Sequence, residues 1–228
     1  MKLAIMQPYL FPYLGYFQLI RAVDAFVVYD DVNFIKGGWI NRNYILSNGD
    51  RQLITLPLQG ASQNKRINQI EIGAQHKILQ IIRHNYSKAP YFKDIYPMLE
   101  DILRYESSNL AHFLDYQLRS ICSYLGLSPQ WHISSGLKKN SELRGQDKII
   151  AICQELGATH YINMPGGTAL YDLEAFASQD LRLSFIAPRV VSYKQLDKVF
   201  LPNLSIIDVM MFNDKERCAH LLQEYDLV

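Results

Sequence analysis

Residues 3–31 read LAIMQPYLFPYLGYFQLIRAVDAFVVYDD, and their spacing decides the fold. Leu3 to Gln7 is a short apolar run stopped by Pro8, the pattern of a buried strand. After a loop from Pro8 to Pro12, Leu14, Phe17, Leu19, Ile20 and Val23 recur at helical spacing. Ala25 to Tyr29 is continuously apolar and rich in strand formers, and it stops at Asp30-Asp31. Strand, helix and strand within about 30 residues is the size of a βαβ unit, which requires a parallel pair.

Downstream, Tyr44 to Leu46 and Gln52 to Leu58 flank Asn48-Gly49, a strong hairpin signal. Ile67 to Ile72 alternates and is read as a further strand. The pattern then predicts helices near 75–87, 93–105 and 108–126, joined by short connections. From Gln130 the α/β alternation returns. Strands are expected at 130–134, 160–163 and 181–186, and helices at 146–156, 169–177, 205–212 and 215–225. The expected fold is α/β: a mostly parallel, Rossmann-like sheet flanked by helices, with a β-hairpin insertion. It reads as a single domain over 1–228 with a helical annex at about 75–126.

Composition narrows the function classes. With 23 basic and 22 acidic side chains the net charge is +1, which argues against a nucleic-acid partner. No apolar run is long enough to span a membrane. Met1 to Met6 is too short for a signal-peptide apolar region, so the expected location is the cytoplasm. Cys122, Cys153 and Cys218 are scattered and read as buried free thiols. The six histidines form no zinc motif, and there is no nucleophile elbow or P-loop. The sequence therefore names no cofactor and no metal-ligand set.

In open α/β sheets, ligands bind beyond the carboxyl ends of the strands. Polar or glycine-rich sequence stands at four such ends: Gln7-Pro8-Tyr9, Asp30-Asp31-Val32-Asn33, Ser134-Ser135-Gly136 and Asn163-Met164-Pro165-Gly166-Gly167. Residues 30–43 are the densest stretch. Asp30, Asp31, Lys36 and Arg42 are the candidate catalytic residues, since carboxylates suit an amine or a hard cation and Lys or Arg suits phosphate. Gln7, Tyr9, Tyr13, Tyr16, Asn33, Trp39, Asn41, Asn43, Arg144, Asn163, Gly166 and Gly167 are the candidate substrate-binding residues. Trp39 offers a stacking face, and the glycines allow backbone amides to approach an anion. A solvated turn around Asp30-Asp31, or a plain strand-to-helix turn at the glycines, accounts for the same residues without function.

Gln7-Pro8-Tyr9-Leu10-Phe11-Pro12-Tyr13-Leu14-Gly15-Tyr16 closely resembles the opening signature of the WbqC-like protein family. Tyr29 to Phe34, Trp39 to Asn43, Tyr161 to Gly167 and Leu204 to Asp208 fit it too, so the resemblance spans nearly the whole chain. It implies an association with bacterial surface-polysaccharide (O-antigen) genes and a suggested glycine-transferring role. A weaker similarity is to nucleotidylyltransferases of the HxGH type. Tyr13-Leu14-Gly15-Tyr16 stands where HxGH would, with both histidines replaced by tyrosines, which donate hydrogen bonds but carry no cation at neutral pH.

These readings give three expectations. The first is a group transferase acting on a small-molecule substrate, a nucleotide or sugar nucleotide, with aminoacyl (glycine) transfer to a sugar as its sharpest form. The second is an altered HxGH-type nucleotidylyltransferase. The third is a non-catalytic nucleotide- or sugar-binding protein.

Overall fold

The computed structural model describes residues 1–140, 142–196 and 199–228. Strands β1 (Lys2–Met6) and β2 (Ala25–Val28) flank helix α1 (Leu14–Arg21) and pair in parallel, Leu3 opposite Ala25 and Met6 opposite Val28. The hairpin follows as β3 (Arg42–Ser47) and β4 (Asp50–Thr55). Asn48 and Gly49 have φ of 49° and 80°, the left-handed pair that a two-residue hairpin turn demands. Strands β5 (Leu58–Gln59) and β6 (Glu71–Ile72) form a minor antiparallel pair. Helices α2 (His76–Tyr86), α3 (Phe92–Leu103) and α4 (Leu110–Tyr124) come next.

The α/β alternation resumes with β7 (Gln130–Ile133), α5 (Gly145–Glu155), β8 (His160–Asn163), α6 (Leu173–Ala177) and β9 (Arg182–Pro188). Helices α7 (Ile206–Phe212) and α8 (Lys215–Leu221) and strand β10 (Tyr225–Leu227) close the chain. The central sheet has six strands in the order β10-β9-β8-β1-β2-β7, parallel except for β10. The chain builds outward from β1 to β2 and β7, then returns to β8 on the other side of β1. That reversal makes the β1/β8 boundary the topological switch point.

Both sheet faces are covered, which is why its strands read as unbroken apolar runs. Residues alternate between the faces. Ala4, Phe26, Val28 and Ile162 pack into a large core with α1, α2, α3, α4 and α7. Leu3, Ile5, Ala25, Val27 and Tyr161 pack into a smaller one with Ile149, Ile152 and Cys153 of α5 and Phe176 of α6.

Three local expectations are corrected. Residues 67–72 are a 3-10 turn (Ile67–Gln69) before the two-residue β6. The helix expected at 169–177 starts at Leu173, where the Asp172 side chain caps it by accepting from the Glu174 amide. The helix expected at 215–225 ends at Leu221, and Tyr225 begins β10, drawn into extended form by the open edge of β9. Among the described residues, no helix is long and apolar enough to cross a membrane. The three cysteines are free and buried, and burial pushes the Cys153 and Cys218 thiols up to about 12, far from thiolate character.

Candidate functional site

The carboxyl ends of β1, β2, β7, β8 and β9 lie along one edge of the sheet, because the strands are parallel. Asp30 and Asp31 follow β2 directly. Strand alternation continues through them and sends their side chains to opposite faces. Asp30 turns toward the larger core, where its carboxylate accepts from the Ser135 amide (2.9 Å), the Ser135 hydroxyl (2.6 Å) and Asn68 Nδ2 (3.1 Å). Asp31 turns toward α5.

There Asp31 accepts from the Ser134 hydroxyl at 2.6 Å and pairs with two lysines, Lys139 at 3.1 Å and Lys148 at 3.0 Å. Both lysine side chains are only 4% exposed, so the cluster is screened from water. Lys148 also donates to the Asp31 carbonyl (3.0 Å) and lies 4.8 Å from the centre of the Tyr29 ring. Lys139 donates to the Ser134 carbonyl. Burial works to raise the Asp31 pKa. The Ser134 and lysine hydrogen bonds and the Lys148 charge overcome it, and the carboxyl titrates below its ordinary range. The Lys148 pKa is lowered too, which for a lysine disfavours the charged form. Burial and the charges of Lys139 and Arg66 lower its pKa in spite of Asp31. One carboxylate is shared by two ammoniums, and burial first of all holds the Lys148 ammonium below its ordinary range.

The smaller-core face continues this cluster toward β8. Tyr29 feels the Arg144 charge and neighbours Tyr171. Tyr171 meets Tyr161 at 5.8 Å between ring centres and lies beside Asn163. Gly167 closes over Asn163 so tightly that a methyl group there would overlap its amide and touch the Tyr171 ring. Gly167→Ala is therefore expected to push Asn163 aside and cost about 1–3 kcal/mol. Gly166→Ala, with open space around it, should cost less than about 0.5 kcal/mol. Chemical denaturation of both variants measures the contrast.

On the opposite face a second group assembles. Tyr9, Tyr13, Trp39, Asn43 and Asn203 line a cavity of about 310 Å³. Trp39 is 51% exposed, meets Tyr44 edge-on at 5.6 Å and has the Arg42 guanidinium 6.0 Å from its ring. Tyr9 packs edge-on against Tyr16 at 5.0 Å. Burial, first of all, raises the pKa of Tyr9 and Tyr13, so both phenols are protonated donors at neutral pH.

The wall of this crevice rests on Phe11, a bulky residue at φ 41°. Three side chains hold that left-handed backbone. Gln117 accepts from the Phe11 amide (3.0 Å), and Asn43 and Ser205 donate to its carbonyl (2.7 and 2.8 Å). The Asn43 amide also donates to Leu10, so its hydrogens face the scaffold.

Several other sequence candidates are committed elsewhere. Tyr16 is fully buried and donates to the Gln7 carbonyl (3.1 Å). Asn41 donates to the Leu56 carbonyl (2.9 Å) and Arg42 to the Gly38 carbonyl (2.9 Å). Asn33 and Lys36 are exposed, Asn33 bridging to Arg66. Arg144 stands at the N-cap of α5 and donates to Leu143.

The two buried lysines are absent from the sequence candidates. A signal for one exists: Lys148 shares the buried face of α5 with Ile149, Ile152 and Cys153, and a lysine in that register needs a partner. Lys139 lies in an irregular segment and carries no such mark.

The comparisons with known proteins bear on the same stretches. A relative in Mycobacterium tuberculosis (strain ATCC 25618 / H37Rv), described as uncharacterized protein Rv1507c, is 32% identical over 222 residues, covering 93% of this chain and 93% of its own. No solved structure matches the chain. The profile of the WbqC-like protein family matches residues 7–220, from the loop after β1 through the crevice and lysine cluster to α8. On that match, the chain belongs to the WbqC-like protein family.

Proposed function

We propose that this protein is a cytoplasmic group transferase of bacterial surface-polysaccharide synthesis, acting on a small anionic substrate, a nucleotide or sugar nucleotide. The observation that carries the reading is the pair of buried ammoniums sharing one carboxylate at the end of β2. Two positive charges against one negative leave a net positive field at this edge of the sheet, which draws an incoming phosphate or carboxylate. The site lies near the switch point where such sheets bind ligands. The aromatic crevice of Tyr9, Tyr13 and Trp39 suits a sugar ring.

The geometry supports the following roles. Arg144, exposed at the N-cap of α5, contacts the anionic group, and the buried Lys139 and Lys148 attract it through their charge. Asp31 orients the lysines, since a carboxyl with a lowered pKa is a weak proton acceptor. Trp39 and Arg42 form the outer wall. In the aminoacyl form of the reaction, an acceptor amine or hydroxyl bonds to the carbonyl carbon of an acyl phosphate. The carbon–oxygen bond to phosphate breaks, phosphate leaves with the electron pair, and the acceptor proton passes to solvent.

A second reading, an altered nucleotidylyltransferase, is favoured by one observation: Tyr13 and Gly15 line a cavity at the start of α1. It loses the second tyrosine as a phosphate ligand, because Tyr16 is buried against Gln7.

The test uses Trp39, which is half exposed, and Arg42, which is half-buried. Trp39→Ala and Arg42→Ala are expected to cut product formation at least tenfold. The melting temperature of Trp39→Ala should shift by less than about 2 °C, since surface changes cost about 0.5 kcal/mol or less, and that of Arg42→Ala by a few degrees, because it also gives up the hydrogen bond to the Gly38 carbonyl. Product is followed by mass spectrometry with nucleoside triphosphates, sugar nucleotides and acyl phosphates as donors. Pyrophosphate release would favour the nucleotidylyltransferase. Ligand-induced stabilisation without turnover would leave only a binding protein.

A further inference from the structure

A cavity of about 330 Å³ lies between the start of α1 and the chain leaving β9. Leu14, Val191, Phe200, Leu204 and Val209 give it apolar walls. Its polar side chains are Tyr13, Gln18, Arg189, Tyr193 and Asn203, and three of these are committed to the scaffold. The Tyr193 hydroxyl donates to Asp208 (2.7 Å). The Gln18 amide donates to the Leu221 and Glu224 carbonyls (2.8 and 3.1 Å), and its oxygen is buried out of a ligand's reach. The Arg189 guanidinium is engaged by Asp226 (2.9 Å through Nε) and Glu224 (3.6 Å).

The other two, Tyr13 and Asn203, also line the aromatic crevice, so the two spaces adjoin at those side chains. Asn203 is exposed, so their border is open at the surface and not a sealed partition. The cavity itself thus presents apolar walls, with its polar handles gathered at the end that leads to the crevice. That chemistry suits a hydrocarbon chain and not a phosphate, because burying apolar area is what such walls reward. Val190, which lines the cavity, and Val199, next to Phe200, are left exposed, an apolar rim that a bound chain would cover. The size falls at the lower end of ligand pockets, roughly 300–1,000 Å³.

We propose that this cavity is a tail subsite, which takes the hydrocarbon chain of an amphiphilic acceptor whose sugar head lies in the crevice of Tyr9, Tyr13 and Trp39. The inference deepens the group-transfer reading by naming the acceptor as a sugar carrying an aliphatic tail, and it rests on that reading for the head.

Calorimetric titration of the unaltered protein with n-alkyl β-D-glucosides, methyl to decyl and below their micelle-forming concentrations, tests it. Affinity is expected to rise about fourfold for each added methylene and to level off once the cavity is full. Val191→Trp narrows the cavity at a half-buried wall. It should cut the affinity for octyl glucoside at least tenfold and leave that for methyl glucoside as it was. If this variant fails to fold, the levelling-off in the unaltered protein carries the test. Affinity that ignores chain length, a climb that never levels off, or a chain dependence that Val191→Trp leaves intact overturns the proposal. Product formation equal with methyl and octyl acceptors would sink this inference and spare the transferase. Chain-dependent binding that levels off, without product from any donor, would do the reverse.

Discussion

Asp31→Asn is expected to lower the melting temperature by about 10 °C and to abolish product formation. The stability part follows from what is left behind. Lys139 and Lys148 would remain buried with their shared counter-charge gone. Removing one partner of a buried ion pair costs about 3–5 kcal/mol. In a chain of this size each kcal/mol is worth about 2–4 °C. Differential scanning calorimetry reads the shift directly. A shift under 2 °C would mean that water or a bound ion already compensates the lysines.

The pH dependence separates this effect from general damage. The Asp31 pKa is lowered in the folded state. Its contribution is therefore fully present above the unfolded value, about 3.9, and is lost as pH falls through the lowered folded one. The gap between the native protein and Asp31→Asn should narrow in strong acid and hold constant from pH 5 upward. Replacing the whole cluster with apolar side chains, Asp31→Leu with Lys139→Met and Lys148→Met, should recover much of the stability and none of the activity. Recovery of both would remove the cluster from the reaction.

The other large effect is expected at Asp208, which is fully buried on α7. Its carboxylate accepts from Tyr86 (2.9 Å), Tyr193 (2.7 Å) and Gln195 (2.7 Å). Those donors come from α2 and from the segment after β9. Tyr86 in turn accepts from the Leu46 amide of β3 at 2.9 Å. One side chain thus ties the hairpin, the helices and the cavity wall together. Asp208→Ala strands these donors in the interior and should cost about 3–5 kcal/mol. It also releases Tyr193 from its place in the wall of the cavity at the start of α1.

Here the sign of the pH effect is opposite. Burial raises the Asp208 pKa, and the three donors only partly offset it. Stability from this group is fully present below the unfolded value, about 3.9, and is lost as pH rises through the raised folded one. Asp208→Asn, which resembles the protonated acid, should therefore cost more at pH 4 than at pH 7 in urea titrations. A cost that grew toward neutral pH would show the carboxylate to be stabilised as an anion.

The local elements were legible in the sequence because their causes are local. The apolar runs at 3–6 and 25–28 are strands, the Asn48-Gly49 turn carries its two left-handed residues, and α2 to α5 follow their helical periodicity within a residue or two. The errors lie where a distant partner decided. The helix expected at 215–225 reaches Tyr225 in the sequence, yet the edge of β9 draws Tyr225 into a ladder.

The residues around the site divide in the same way. Asp30 and Asp31 were visible as polar residues ending an apolar strand, and so were Tyr9, Tyr13 and Trp39. What each one does was not. Asp30 and Asp31 are neighbours in sequence and work on opposite faces, because an extended backbone alternates and β2 is covered on both sides. Asn43 and Tyr16 look like ligands in a motif, yet their polar atoms are spent on the carbonyls of Leu10, Phe11 and Gln7. Lys148 meets Asp31 across 117 positions, and Tyr86 meets Asp208 across 122. By itself the sequence determined the strands, the helices and the edge where polar residues gather, since those depend on periodicity and turn chemistry. Only the tertiary structure decided which charges are shared and which amides are spent, because burial and pairing are properties of the packed sheet and not of the chain.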